Sequence, residues 1–581
     1  MFFSKPDLIN YLSENGHLDH VYKVLDDPSE VVVTLMKVMN ETGTMPQCVE
    51  DFKSESISNM FRLEGNQAYK AKHFGLALES YNKSLSYAPT QSTAMKLAYG
   101  NRSALLYTLK QYTDCMNDID TIFSMGCADF DLAERLNQRK NQCEKMAKAS
   151  SDLETNSIKN GLAGKFFNFD VKRHPEIPCA STDISVIMES GLPKVVAAKD
   201  IQVGTLVSLE SPFVCELNAS NYWIACHYCH KFKFNLMPCD GCTVALFCDE
   251  ICKKKCYIEF HNIECQIMSC FHSQHGIIGG NMNIRAALKM KQKCKTWKEL
   301  ITASFSIGED RMRNSCVSDI YDKESKFSML SFDNNLHFVH GKTINCGVPC
   351  AIELHYLKGV PNFWPTCEDE KDEGVRAFAR IMMKLNLFYP PVLIRNICLD
   401  ALNVHSGNLV TSSHNFGWFA FTGKLKHSCD ANLLALGLKN SIALVAVHPI
   451  QNGSELNISY LEHYYDRIPQ HKYFMRSLHC LSPACSCRVC IENWNVRDNS
   501  YRDQTLSADE MRVFKKFISN TQPKRLIDMD INVFKASCKA LTKLHHLAGT
   551  REHAGIYIGL RNLLFLCQCI ATGNRYLRKY T

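Results

Sequence analysis

No stretch of about 18 uninterrupted apolar residues occurs in this 581-residue chain, so no segment reads as a membrane-spanning helix. The first residues, MFFSKPDLINYLSENGHLDH, lack the apolar region of an export signal, because polar side chains interrupt them every few positions. Charge of one sign is also scarce. A net +7 spread over 66 basic and 59 acidic residues is too weak to announce a nucleic-acid binder. With 46% hydrophobic and 22% charged residues, the composition excludes disorder on a large scale. It leaves core for roughly three to five domains. The expectation is a chain of the cytosol or the nucleus with no membrane contact.

Cysteine is abundant instead. Twenty-nine of them, in a compartment where disulfides are rare, point to metal ligation. The first cluster is Cys226, Cys229, Cys239, Cys242, Cys248, Cys252, His261 and Cys265, spaced C-x2-C-x9-C-x2-C-x5-C-x3-C-x8-H-x3-C. Zinc takes four Cys or His ligands tetrahedrally, and each C-x2-C pair supplies two from one turn. Eight ligands make two sites. Interleaving assigns Cys226, Cys229, Cys248 and Cys252 to one ion and Cys239, Cys242, His261 and Cys265 to the other. Cross-bracing of this kind gives a short segment the folding energy that its own core cannot supply. A second cluster, Cys485, Cys487 and Cys490, offers three ligands and needs a fourth from elsewhere.

Ahead of the clusters, FRLEGNQAYKAKHFGLALESYNKSLSYAP places Gly65, Tyr69, Phe74, Ala77, Tyr81 and Pro89 as a tetratricopeptide helix pair requires. A second pair follows around Asn101, Ala104, Tyr107, Tyr112 and Asp118, and a third, weaker one begins near Asp131. Arg62, Asn66, Asn101, Arg135 and Arg139 resemble the carboxylate clamp of tetratricopeptide domains that grip the C-terminal Glu-Glu-Val-Asp of heat-shock chaperones. The spacing Arg-x3-Arg puts both guanidinium groups on one helical face, which suits bidentate capture of carboxylates.

The fold class expected is multidomain α+β, with an N-terminal helical repeat solenoid and a β-rich domain interrupted by a zinc finger and a helical insert. A helical cap covers 1–58, repeats 59–148 and a linker 149–185. The β-rich part begins over 186–225, the finger takes 226–265 and the helical insert 266–400. The second β-rich part spans 401–465, a cysteine segment 466–492 and a helical tail 493–581.

A finger with these ligands, β-rich flanks, KHSC, ELNISY and C-x1-C-x2-C resembles the SET-and-MYND family of protein methyltransferases. Repeats ahead of the SET domain suggest the branch that carries them. The resemblance implies a protein-lysine N-methyltransferase using S-adenosylmethionine on a histone or another protein, with a possible part in transcription. The opposing reading is a scaffold with an impaired SET core, joining a chaperone to partners of the finger. By resemblance Cys429 completes a third zinc site with Cys485, Cys487 and Cys490 in the post-SET segment. Tyr460 becomes the catalytic tyrosine, and Lys194, Lys426, His427 and Tyr460 face the cofactor. The finger is expected to bind proline-containing peptides, with Lys253, Lys254 and Lys255 as a basic face.

Three features depart from the family: Leu192 and Lys194 at its Gly-x-Gly, Lys426 at its asparagine, and Pro483 at its adenine-stacking aromatic. An ammonium about 5 Å from the sulfonium would cost roughly 3 kcal/mol at an effective dielectric of about 20. The sequence therefore sets a cofactor site with degenerate positions beside an intact tyrosine.

Overall fold

The computed structural model describes residues 5–47, 51–126, 129–159, 171–273, 281–332, 340–388, 392–397, 412–438, 441–460, 487–491, 507–520, 531–547, 557, 558, 560, 561 and 564. No helix among the described residues is long and apolar enough to cross a membrane.

Two helix pairs form the repeats, α4 (Glu55–Lys70) with α5 (Phe74–Tyr87) and α6 (Thr93–Thr108) with α7 (Tyr112–Ser124). Ser54 caps α4 by accepting from the Ile57 amide, and Ser92 caps α6 in the same way from Met95. Each first helix ends on a lysine in the left-handed region, Lys72 and Lys110, both at φ 61°. Gly65 faces Tyr81 so closely that a β-carbon there would come 2.5 Å from the ring, so the first pair needs glycine at this crossing.

Where the third repeat was expected, helix α8 (Phe130–Lys159) packs on α7, and residues 160–170 lie outside the described residues. The helix runs into the stretch expected as a linker. At the other end of that stretch Ile177 and Ala180 are buried in the β-rich core, with Ala180 bridging Ser208. The expected linker is therefore flanked by helix α8 on one side and by the core residues Ile177 and Ala180 on the other.

The N-terminal helices α1 (Lys5–Glu14), α2 (Asp19–Tyr22) and α3 (Pro28–Glu41) were expected as a cap, and they pack on the insert. Val31, Val32, Leu35 and Met39 are buried. Helix α3 lies against the insert helices His340–Lys358 and Glu368–Phe388, with Arg376 paired to Glu30 and the Tyr356 hydroxyl donating to Pro46 O at 3.0 Å.

The β-rich part supplies β1 (Ile184–Glu189) and β2 (Leu192–Ala197) as a hairpin, then β3 (Leu206–Glu210) and β4 (Val214–Glu216). The finger adds β5 (Met237–Pro238) and β6 (Leu246–Phe247). After the insert helices come β7 (Val392–Ile397), β8 (Ser412–Trp418), β9 (Lys426–His427), β10 (Leu433–Leu438), β11 (Ser441–Ala446) and β12 (Asn457–Ile458). Strand β7 falls within the span expected as mostly helical; it pairs with β8, which pairs with β4. The main sheet runs β3-β11-β10-β12-β9.

Strand β12 is parallel to both neighbours, so the chain threads between β10 and β9 there. Two asparagines lock the threading. The Asn432 amide donates to Asn457 Oδ1 at 2.8 Å, and the Asn457 amide to Asn432 Oδ1 at 2.9 Å. In the tail, helices Ala508–Asn520 and Ile531–Lys543 contact each other, and the His545 ring lies 4.9 Å from His448 of the β-rich part.

Repeats and finger share an interface. Buried Arg102 pairs with Asp118 at 2.7 Å and also donates to Asn82 Oδ1 and to Leu236 O of the finger. Lys53 Nζ donates to Cys239 O at 2.6 Å, Ser86 Oγ to Thr243 O and Asn82 Nδ2 to Trp223 O. Asp118 thus holds the buried guanidinium that reaches across to the finger at Leu236 O.

Candidate functional site

The finger gathers its eight ligands into the two interleaved sets, each with ligand atoms within 4.8 Å of one another. Strands β5 and β6 carry the Cys239–Cys242 knuckle, and Asp249 caps the helix Glu250–Cys256 by accepting from the Cys252 amide at 2.7 Å. A tetrahedral zinc with bonds of about 2.3 Å holds sulfurs about 3.8 Å apart. The observed Cys229–Cys248, Cys248–Cys252 and Cys239–Cys265 separations are 3.6, 3.4 and 3.7 Å, so the donor sets fit the ion.

Behind the second set lies a charge cluster that sequence reasoning missed. His261 turns Nε2 toward Cys239 Sγ at 3.3 Å and Nδ1 toward Glu264 Oε2 at 3.3 Å. Glu264 is fully buried and accepts from Arg285 Nε at 2.7 Å, while Arg285 Nη1 donates to Cys215 O at 2.9 Å. Burial works to raise the Glu264 carboxyl, yet the Arg285 guanidinium and the bonds from His227 and His261 hold it well below the usual carboxylate range. A carboxylate on the outer nitrogen of a ligating histidine fixes ring orientation. The spacing of His261 and Glu264, three apart on one helical face, was the available signal; Arg285 had none.

Cys429, Cys487 and Cys490 also come together, with Cys429 Sγ 3.6 Å from Cys490 Sγ. Cys485 and Pro483 lie outside the described residues. Cys270, outside the ligand clusters, is disulfide-bonded.

Next to this third cluster stands Tyr460, buried, with its hydroxyl donating to Leu425 O at 2.7 Å and near Thr422 O at 3.3 Å. Its amide donates to His427 Nδ1 at 3.3 Å, and His427 Nε2 lies 3.4 Å from Cys429 Sγ. Burial, with the Glu210 carboxylate adding to it, pushes the phenol above the ordinary tyrosine range, so it stays protonated. The hydroxyl and carbonyl oxygens thus form one fixed polar set in an apolar surround.

The two lysines expected to face the cofactor do not turn inward. Lys194 Nζ sits 3.0 Å from Glu189 and 3.6 Å from Glu455. Lys426 Nζ is 3.6 Å from the same Glu455 oxygen, with its side chain 65% exposed. One carboxylate thus lies within ion-pair distance of both ammoniums. The tight turn before β2 falls at Ser190 and Gly191, at φ 52° and 78°, one residue ahead of half-buried Leu192. Ser459 Oγ, beside Tyr460, is buried with no partner among the described residues, a polar group that suits a bound ligand.

The clamp residues come from α4, α6 and α8. Asn101 Nδ2 donates to Asn66 Oδ1 at 2.7 Å, and Arg139 Nη1 to Ser103 Oγ at 2.6 Å on the neighbouring helix. Arg62 Nε bonds Asn59, and exposed Arg135 bonds its own helix at Asp131 O. The structure thus joins Asn66 to Asn101 and sets Arg139 one turn away, with Arg62 and Arg135 held locally.

The SET-domain family profile matches residues 194–461. Protein-lysine N-methyltransferase SMYD4 of Danio rerio is 23% identical over 360 residues, covering 56% of this chain and 46% of that protein. The Homo sapiens protein of the same name is 25% identical over 276 residues, 37% of this chain and 34% of that protein. The chain therefore matches less than half the length of either relative. Hsp70/Hsp90 co-chaperone CNS1 of Saccharomyces cerevisiae is 29% identical over 116 residues, 18% of this chain and 30% of that protein. With its SET match, its paired-ligand finger and these relatives, the chain carries a SET domain and is similar to the SMYD4 proteins of the SET-and-MYND family.

Proposed function

We propose that this chain is a protein-lysine N-methyltransferase acting on a histone or another protein, with its repeats as a docking domain. The observation that carries the reading is the Tyr460 hydroxyl held against the Thr422 and Leu425 carbonyl oxygens, beside His427. A substrate lysine has an ordinary pKa near 10.4 and must arrive neutral, which a narrow desolvated site favours. Carbonyl oxygens accept from its N–H groups, and the protonated phenol fixes its remaining direction. S-adenosylmethionine, when bound, supplies the methyl group. His427 and Ser459 are the polar side chains of this chain nearest to Tyr460 that suit its binding, while Lys194 and Lys426 neutralise Glu455 at the rim. Zinc in the post-SET cluster would hold Cys429, and through it His427, in place.

Calorimetric titration with S-adenosylmethionine and S-adenosylhomocysteine tests the reading, and both should bind. Because Lys426 is already paired, Lys426→Asn should change the ratio of the two affinities by less than about threefold, well under 1 kcal/mol. If neither molecule binds to the parent or the variant, the enzymatic reading goes and a docking scaffold remains.

The repeats fit an acidic C-terminal tail of a heat-shock chaperone, with Asn66 and Asn101 at the carboxylates and Arg62, Arg135 and Arg139 around them. A peptide ending in Glu-Glu-Val-Asp is expected to bind in the micromolar range, on the order of −8 kcal/mol, and more weakly as salt rises. Fluorescence anisotropy reads this directly. Unchanged affinity after amidation of the peptide terminus would remove the clamp. The finger exposes Ile251, Tyr257 and Ile258 on the helical stretch that carries Lys254 and Lys255, a surface that suits proline-containing peptides.

A further inference from the structure

The turn at residues 420–425 is gripped from three sides. Glu210, at the end of β3 and buried, accepts from the Phe421 amide at 2.8 Å, the Thr422 amide at 2.8 Å and Thr422 Oγ1 at 2.7 Å. Lys424 folds its side chain back, so that Nζ donates to Ala420 O at 2.6 Å and to Ile320 O at 2.9 Å. Tyr460 reaches the same turn with its hydroxyl, at Thr422 O and Leu425 O. Burial pushes the Lys424 amine down to about 7, with Glu210 and Cys179 opposing, and burial raises the Glu210 carboxyl against its three hydrogen bonds. A cation and an anion are thus kept in a costly place. Neither serves a zinc cluster.

What they do serve is the direction of two carbonyl groups. Glu210 also lines a cavity of about 270 Å³ with Cys179 and Tyr321, so the side chain that grips the turn is not packed on every side. We propose that Glu210 and Lys424 are positioning residues for the methyl acceptor: they hold the 420–425 turn so that the Thr422 and Leu425 carbonyl oxygens and the Tyr460 hydroxyl form a single receiving set. The inference rests on the methyltransferase reading above and adds to it two residues that touch neither substrate nor cofactor. A displacement of about 1 Å at such a set costs up to a hundredfold in rate without altering binding of the rest of the substrate.

The test uses the full chain with Glu210→Gln and, separately, Lys424→Met. Glutamine keeps the shape and removes the charge, and methionine keeps the stem of the lysine and removes its donors. Tyrosine labelled with carbon-13 at Cζ gives an NMR readout independent of turnover, the Tyr460 resonance being the one lost in Tyr460→Phe. Among the described residues, Glu210 and His427 are the ionisable groups recorded against this phenol. In the parent its resonance should not titrate below about pH 11, a unit above the ordinary tyrosine value. Glu210→Gln removes a negative charge and should therefore bring the midpoint down by about one unit or more. Lys424→Met, which frees the Ala420 and Ile320 carbonyl oxygens, is read through kcat.

In a methyl-transfer assay, kcat should fall at least about tenfold while the acceptor KM stays within about threefold. A parent that transfers nothing while the resonance moves in Glu210→Gln sinks the enzymatic reading and leaves the hold of Glu210 on the turn standing. Two folded variants whose Tyr460 resonance and kcat match the parent overturn the proposal. So does a pair of variants that lowers only the melting temperature.

Discussion

Cys239→Ala should release one zinc ion from each chain and lower the melting temperature by more than the exchange of any buried thiol outside the ligand sets. Elemental analysis of the parent should find close to three zinc ions per chain, and of the variant close to two. A structural zinc contributes on the order of 10 kcal/mol of apparent binding energy to a small domain, most of which is folding energy. The loss would not stay within the finger. Cys239 O accepts from Lys53 Nζ at 2.6 Å, and Thr243, just beyond the knuckle, accepts from Ser86 Oγ and donates to Asp51. A collapsed knuckle therefore also loosens the seat of the repeats. Cys294→Ala is the control, since Cys294 is buried outside every ligand cluster and should cost only about 1–2 kcal/mol. A Cys239→Ala protein that kept three zinc ions and its melting temperature would rule out the assignment of these ligands.

Tyr460→Phe should lower methyl transfer by about a hundredfold, on the order of 2.7 kcal/mol of transition-state stabilisation, while cofactor affinity stays within about twofold. The hydroxyl is the only part removed, and it bonds two backbone carbonyl oxygens rather than His427, whose contact with Tyr460 is through the main-chain amide. The cofactor side of the residue is therefore left as it was. Stability should fall modestly, by about 1 kcal/mol, because a buried hydroxyl is exchanged for none and its acceptors stay behind. Radiolabelled methyl transfer to a panel of lysine-containing proteins, with calorimetry on the same samples, separates the two effects. Equal transfer rates for parent and variant would take Tyr460 out of the reaction.

The zinc finger was legible because its information is local. Four close pairs of ligands within 226–265 leave a tetrahedral ion few choices, so spacing alone yields the grouping that the coordinates display. Gly65 and Tyr81 were readable for the same reason: a helix pair brings its own small and large residues together.

Sequence by itself determined the grouping of the finger's cysteines and histidine and the two helix pairs of the repeats. Tertiary structure decided where charges go. Lys194 and Lys426 stand on strands from opposite ends of the SET region, and spacing could not tell that both would meet Glu455 and turn outward. Nor could it show that the N-terminal helices would lie on the insert, that Arg285 would stand behind a zinc ligand, or that Glu210 and Lys424 would hold the turn facing Tyr460. The physical reason is one of range. Metal coordination and helix periodicity act over a few residues of chain. A buried charge finds its partner wherever folding brings one, because an unpaired charge in the interior costs more than any local preference can offset.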